Sequence, residues 1–151
     1  MDMRVSVIGG STVSDEEYAT AQTLGEQLAD RGHEVVCGGR TGVMGAVCRG
    51  ARSAGGHTIG ILPGSNRADA NPYVETAIAT GINDARNAVV VLNGDAVIAV
   101  DGGPGTLSEL GHALSLGKPV AGIDTHRIDG VTEIEHVTTP TAAIDYVEAS
   151  V

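Results

Sequence analysis

Short apolar runs alternate with amphipathic segments along almost the whole chain. Apolar runs predict buried β-strands at 4–9, 34–37, 57–62, 74–79, 95–100 and 120–123. Apolar residues spaced three or four apart predict helices at about 14–31, 43–54, 81–92, 106–117 and 141–149. We predict an irregular loop at 66–73, and the segment 124–136 is polar and weakly patterned. This alternation predicts a single α/β, Rossmann-like, three-layer domain over residues 1–151, with a doubly wound, mostly parallel sheet.

The segment 95–120 carries the strongest chemical signal. Its strand leads into the turn DGGPG, whose glycines tolerate positive φ and leave no Cβ in the way of a ligand. A helix is predicted from Thr106, which would place Glu109 in its first turn. A glycine turn that opens a helix presents unpaired N–H groups and the positive end of the helix dipole. The segment therefore predicts an anion site, most often one for phosphate.

Three predicted strands end in glycine-rich turns that supply candidate phosphate-binding residues. These are Gly9, Gly10 and Ser11; Gly38, Gly39, Arg40, Thr41 and Gly42; and Gly102, Gly103, Gly105 and Thr106. Ligands of open α/β sheets bind outside the carboxyl ends of the strands, so three such turns on one edge favour a phosphorylated ligand over turn geometry alone. The patterns GxGxxG, GxxxxGKS/T and GxSxG do not occur, which disfavours NAD binding, a P-loop NTPase and a hydrolase nucleophile elbow.

Charge and hydropathy disfavour two classes of binding partner, nucleic acids and membranes. The 151 residues carry a formal net charge of −10, from 19 acidic and nine basic residues. A general nucleic-acid binder needs a basic footprint, so we expect no nucleic-acid partner. The first residues lead straight into a strand, and no apolar run approaches the ~20 residues of a membrane helix. We therefore expect a cytoplasmic protein without a membrane partner.

Residue usage adds expectations for the core and for metals. The chain has three Tyr, no Phe and no Trp, so its core must be built from Val, Ile, Leu and Ala. Two cysteines, Cys37 and Cys48, are too few for a disulfide framework and predict buried free thiols in a reducing compartment. The histidines lack metal-ligand spacing, so no metal site is expected.

Two of the glycine turns resemble those of the Lonely Guy (LOG) and molybdenum-cofactor-carrier superfamily. The matching motifs are GGRTGVM at 38–44 and GGPGTLSE at 102–109. The resemblance continues through GILPG at 60–64, TG at 80–81 and ARN at 85–87, and it covers almost the whole chain. It implies a Rossmann-like fold and a small phosphorylated ligand.

LOG enzymes cleave the N-glycosidic bond of nucleoside 5′-monophosphates with a PGGxGTxxE motif and an upstream arginine. By matching positions, the resemblance implies that Glu109 is the catalytic acidic residue, that Arg86 is its partner, and that the glycine turn with Thr106 holds the phosphate. A carboxylate can stabilise oxocarbenium character on the ribose or handle water, and arginine offers a fork of donors. No cofactor is required for this chemistry.

Departures from the enzyme motif favour the carrier branch. Asp101 stands where the enzyme motif has proline, Asn87 follows Arg86 where lysine is usual, and the second loop is shorter. Relatives in the carrier branch bind a pterin phosphate without turnover. We therefore predict a binding protein for a phosphorylated nucleotide-like or pterin-like molecule, such as a nucleotide monophosphate or a molybdopterin-like ligand. The alternative is a LOG-type phosphoribohydrolase; lysine decarboxylation is rejected because the chain has no pyridoxal-lysine signature.

Each candidate residue also has a structural interpretation. Glu109 would complement the helix dipole, Arg86 would lie on the surface of its helix, and Met44 would belong to the core. Arg40 is a phosphate candidate at even odds, and Asp101 is as suited to shaping the turn as to chemistry. The resemblance also implies a homodimer or higher homo-oligomer, and we place its interface on the apolar faces of helices 43–54 and 81–92.

The acidic, lysine-poor composition predicts adaptation to a salty cytoplasm, with simple solubility through self-repulsion as the alternative. If the adaptation is present, the melting temperature should rise between low salt and molar KCl, because salt screens the repulsion between carboxylates. Thermal unfolding followed by circular dichroism measures this. A melting temperature that is indifferent to KCl would end the hypothesis.

Overall fold

Seven β-strands form one sheet in the computed structural model, which describes residues 2–151. The strands are β1 (Arg4–Gly9), β2 (Glu34–Cys37), β3 (Thr58–Leu62), β4 (Thr76–Ala79), β5 (Ala96–Val100), β6 (Val120–Ile123) and β7 (Ile134–Val137). The α-helices are α1 (Asp15–Asp30), α2 (Val43–Ser53), α3 (Arg86–Leu92), α4 (Pro104–Ser115) and α5 (Pro140–Ser150). Two 3₁₀ turns lie at Arg67–Asp69 and Asn83–Ala85.

The strand order is β4-β3-β2-β1-β5-β6-β7, and every neighbouring pair is parallel. The chain starts in the middle of the sheet, builds outward from β1 to β4, and then returns to place β5 on the other side of β1. This confirms the doubly wound α/β fold, and the sheet is parallel throughout. The direction of winding changes between β1 and β5, and a crevice is expected at the carboxyl ends of these two strands.

Helices cover both faces of the sheet, which confirms the three layers. One aliphatic core lies between the sheet and α1, α2 and α5. A second lies between the sheet and the smaller layer of α3 and α4. Side chains of β1 and β5 contribute to both cores, so these two strands are buried on both faces. Cys37 and Cys48 are buried and free, as predicted.

Two glycines allow α1 and α2 to pack backbone against backbone. A Cβ added to Gly25 would lie 2.1 Å from the carbonyl oxygen of Val47, and one added to Gly50 would lie 1.9 Å from that of Gln22. Only glycine permits so close an approach. The apolar residues of α2 other than Met44 are fully buried inside the chain. The apolar face of α2 is therefore not free for the subunit interface that we placed on it.

Most element boundaries agree with the sequence pattern, and three depart from it. The Ser14–Glu17 capping box that starts α1 is present. Helix α3 starts at Arg86 rather than near Gly81, because Asn83 has a φ of +54° and the residues before Arg86 form a 3₁₀ turn. Helix α4 starts at Pro104, whose fixed φ suits the first helical position. The weakly patterned segment contains the edge strand β7, which has one buried residue among its four.

A buried histidine attaches the C-terminal helix to the start of the sheet. The Nδ1 atom of His33 accepts a hydrogen bond from the Met3 N–H (3.0 Å), so the proton lies on Nε2, which is 2.7 Å from Glu148 Oε2. Arg31 Nη1 lies 2.6 Å from the other Glu148 oxygen. The hydrogen bond from His33 lowers the pKa of Glu148 below its ordinary value.

Among the described helices, none combines the length and apolar character needed to cross a membrane.

Candidate functional site

A cavity of about 240 Å³ opens at the carboxyl end of β1, the strand that lies beside β5. The residues that line it come from the end of β1, the turn after β2 with the start of α2, the 3₁₀ turn with the start of α3, and the start of α4. Nine of the residues that we predicted for the site are in its wall. They are Gly9, Gly10, Ser11, Gly38, Arg86, Gly103, Gly105, Thr106 and Glu109.

Residues at the start of α4 line this cavity, and their backbone amides have no partners in the helix. Gly103 is the N-cap and Pro104 has no N–H, so the first donors are the amides of Gly105 and Thr106. The Thr106 hydroxyl accepts a hydrogen bond from the Gly103 N–H (3.3 Å), which fixes the turn. Together with the helix dipole, equivalent to roughly half a positive charge, these amides form a site for an anion.

Arg86 brings a cation to the same cavity. Its Nη1 donates to the Asn87 side-chain oxygen, and its Nη2 lies 3.5 Å from the Gly38 carbonyl oxygen. Its Nε is buried and has no hydrogen-bond partner among the described residues. A buried donor without an acceptor is costly, and an oxygen atom of a ligand would satisfy it. The structural interpretation would require Arg86 to lie on the surface of its helix. The structure instead places its Nε in the interior.

Glu109 lies in the second turn of α4, because the helix starts two residues earlier than predicted. The side chain is therefore outside the first turn, where a carboxylate is stabilised most by the helix dipole. Glu109 is only 7% exposed. Burial raises its pKa to about 7, and the positive charge of Arg86 offsets part of this effect. The cavity thus holds a carboxyl group that exchanges its proton near neutral pH.

Most of the second glycine turn supports the site from outside the cavity. Arg40 is exposed and points to the Asp69 carbonyl oxygen (3.3 Å). The Thr41 hydroxyl donates to the Ser11 carbonyl oxygen (3.0 Å). Gly42 has a φ of +67°, and a Cβ there would lie 2.2 Å from the carbonyl oxygen of Gly10. With Gly39, these residues lie outside the cavity wall, and the second turn holds the first turn in place.

The turn after β5 has an unusual backbone at its first two residues. Asp101 has a φ of +56°, a value that proline cannot adopt because its ring fixes φ near −65°. The Asp101 carboxyl lies with Glu17 in a separate pocket at the start of α1. Burial and the hydrogen bond with Glu17 raise the pKa of Asp101. Gly102 also lies outside the cavity wall, and a Cβ on it would meet Thr106 (2.9 Å) rather than a ligand.

Six residues of the cavity wall were not predicted for the site: Val7, Ile8, Met44, Asp84, Asn87 and Pro104. Met44 was interpreted as core; it packs on the core and also lines the cavity. Asn87 is buried and holds Arg86, while Asp84 lies one turn earlier. The sequence contained a signal for Asn87, since it departs from the lysine of the enzyme motif. Asp84 has no such signal, because the 3₁₀ turn that carries it has no apolar pattern.

Comparison with known proteins identifies several relatives. The model of the SLOG cluster4 family matches residues 2–149. An uncharacterized protein of Archaeoglobus fulgidus is 39% identical over 145 residues, covering 95% of this chain and 93% of its own. The cytokinin riboside 5′-monophosphate phosphoribohydrolase of Mycobacterium tuberculosis is 34% identical, covering 82% of this chain and 76% of its own. A probable enzyme of the same name from rice is 37% identical, but the match spans only 46% of the rice protein.

Solved structures of carrier proteins match over nearly the full length. The molybdenum cofactor binding protein of Rippkaea orientalis superposes with a TM-score of 0.93 at 32% identity, covering 99% of this chain and 98% of its own. The molybdenum cofactor carrier protein of Chlamydomonas reinhardtii gives a TM-score of 0.89 at 31% identity, with the same coverage.

Replacing Glu109 by glutamine should stabilise the unliganded protein increasingly as the pH rises. The folded-state pKa of about 7 lies above the ordinary value of 4.5. Between these values the folded protein holds a proton that the unfolded chain has released, so the stability of the wild type falls as the pH rises. The glutamine side chain does not titrate in this pH range, so the variant lacks this dependence. The stability difference should grow from near zero below this window to about 3 kcal/mol above it.

Urea unfolding at a series of pH values measures this difference. Glu16→Gln is the matched control, because Glu16 is exposed on α1 and lies outside the cavity wall, so this variant should follow the pH dependence of the wild type. A Glu109→Gln difference that stays constant across the pH series would show that the carboxyl titrates normally.

Proposed function

The chain belongs to the SLOG cluster4 family, within the LOG and molybdenum-cofactor-carrier superfamily, and from this we propose that it binds a phosphorylated nucleotide-like or pterin-like molecule at the carboxyl edge of its sheet. One observation carries the proposal: donors without acceptors belong to residues that line a single cavity. They are the amides of Gly105 and Thr106 and the buried Nε of Arg86. Donors of this kind match the acceptor-only oxygens of a phosphate group.

The ring system of the ligand would extend beyond the cavity. About 240 Å³ is below the ~300–1,000 Å³ of typical small-molecule pockets. The volume suits a phosphate and the group attached to it. Met44 supplies an apolar and adaptable wall beside these donors. In this proposal a nucleotide monophosphate or a molybdopterin-like compound is anchored by its phosphate, and the exposed loops contact the ring.

We favour binding without turnover, which is the role of a carrier. The solved structures that match over 99% of the chain are described as molybdenum cofactor binding or carrier proteins. The backbone of Asp101 also supports this role, because its positive φ excludes the proline of the LOG enzyme motif. In addition, Arg86 is bonded to Asn87 and lies near Gly38, so its guanidinium is held for a ligand rather than by Glu109.

A LOG-type phosphoribohydrolase is the second candidate, and Glu109 is the observation that favours it. A buried carboxyl with a pKa of about 7 is suited to general acid–base work at neutral pH. In the hydrolysis the C1′–N bond would break and its electron pair would leave with the base. The oxygen of water would bond to C1′ and one water proton would pass to the Glu109 carboxylate. Glu109 would then pass this proton to the leaving base and return to its carboxylate form.

We also propose that the protein is a homodimer that associates through the outer surface of α3 and α4. Three large apolar residues of this layer are 45–56% exposed: Leu92, Leu107 and Leu116. Among the described residues, α4 has no exposed Asp, Glu, Lys or Arg. A chain with a net charge of −10 associates with a second copy most readily through an uncharged face.

Incubation with AMP and with a synthetic pterin phosphate tests the proposal. Equilibrium dialysis should detect binding by the wild type, and chromatography should detect no free base. Arg86→Met should weaken binding by about ten- to a hundredfold, since a hydrogen bond to a charged group is lost. Arg4→Met is the matched control, because it removes the same charge from the amino end of β1, at the opposite edge of the sheet from the cavity.

The other outcomes decide between the two candidates. Release of adenine by the wild type but not by Glu109→Gln would establish the hydrolase and overturn the carrier. Absence of both binding and release, for AMP and for the pterin phosphate, would overturn both.

A further inference from the structure

A short segment after β6 forms hydrogen bonds to the turn that leads into the anion-binding amides of α4. This segment, 124–127, lies outside the cavity wall, so it can affect an anion bound in the cavity only through the turn. It belongs to the weakly patterned part of the sequence, to which we assigned no role. Two of its side chains, those of Thr125 and His126, form hydrogen bonds to the turn.

The two contacts are to backbone carbonyl groups on either side of Gly102. The Thr125 hydroxyl donates to the Asp101 carbonyl oxygen at 2.7 Å. The Nε2 atom of His126 lies 2.9 Å from the Gly103 carbonyl oxygen. Since a carbonyl oxygen only accepts, Nε2 must carry the proton and donate it. Both bonds therefore tie the segment to the unusual part of the backbone.

The backbone groups of Asp101 and Gly103 are consequently all bonded. The Asp101 N–H donates to the Ile123 carbonyl oxygen (3.0 Å). The Gly103 N–H donates to the Thr106 hydroxyl, and the Gly103 carbonyl accepts both the Leu107 N–H (3.1 Å) and His126. Sparsely populated backbone conformations persist only where the surroundings determine them in this way. The amides of Gly105 and Thr106 are left free to bind.

We infer that His126 is a positioning residue for the ligand, with Thr125 in a supporting role. His126 does not line the cavity, but its hydrogen bond to Gly103 fixes the direction in which the first amides of α4 point. The inference rests on the proposed function for its effect on binding. Its effect on the turn itself does not depend on any ligand. A preorganised donor set binds more tightly because no ordering is needed when the anion arrives.

Three substitutions at position 126 separate the hydrogen bond from the bulk of the side chain. Glutamine carries its Nε2 three bonds beyond Cβ, as histidine does, so His126→Gln should keep the contact. Asparagine carries its amide one bond less far, so His126→Asn should lose it, as should His126→Ala. His112→Ala is the matched control, because His112 is exposed on α4. Thr125→Val removes the second bond at nearly constant volume.

Two measurements are made on each variant. In the unliganded protein, hydrogen exchange of the Leu107 amide should accelerate in His126→Ala and His126→Asn, while the Lys118 amide at the end of α4 stays unchanged. The affinity for AMP and for inorganic phosphate should fall by about three- to tenfold in these variants. It should stay near wild type in His126→Gln and His112→Ala, with similar melting temperatures throughout.

The outcomes separate this inference from the proposed function. If the wild type binds and His126→Ala matches it in affinity and in Leu107 exchange, the positioning role is overturned. An equal loss of affinity in His126→Gln and His126→Ala would also overturn it, since the hydrogen bond would then not matter. If the wild type binds neither AMP nor phosphate, the proposed function fails, and exchange at Leu107 alone decides whether His126 holds the turn.

Discussion

The site depends on one constraint, which is that buried backbone groups must find hydrogen-bond partners. In the turn after β5, neighbouring parts of the chain supply partners for Asp101 and Gly103. Gly105 and Thr106 follow Pro104 in the first turn of α4, and their amides have no acceptor in the helix. The Nε of Arg86 is also buried, and it has no hydrogen-bond acceptor among the described residues. The fold thus concentrates its unsatisfied donors in one cavity, at the point where the sheet changes its direction of winding.

The electrostatic field at the cavity differs from that of the chain as a whole, and this difference limits which ligands can bind there. The chain as a whole repels anions, because its net charge is −10. Around the cavity the short-range sources are the dipole of α4, Arg86 and the carboxyl groups of Asp84 and Glu109. The buried Glu109 adds little negative charge below its pKa of about 7. An anion is therefore held by local geometry rather than by the field of the whole protein. Such binding requires a ligand that reaches the donors at hydrogen-bond distance.

The sequence predicted the sheet well because a parallel strand buried on both faces is a nearly continuous aliphatic run. It failed for β7, an edge strand with a single buried residue, and for the start of α3, where Asn83 adopts a positive φ. Glycine turns were sufficient to locate the edge that carries the cavity. They could not separate Gly103, which lines the cavity, from Gly42, which supports it, because that difference depends on tertiary contacts. The role of His126 was hidden for the same reason.

The most direct test of this account is a titration of ¹⁵N-labelled protein with inorganic phosphate, followed by the chemical shifts of backbone amides and of arginine Nε–H groups. The account predicts that the largest saturable shifts occur at the amides of Gly105 and Thr106 and at the Nε of Arg86. Shifts of equal size spread over the surface, or saturable shifts confined to another part of the molecule, would contradict it.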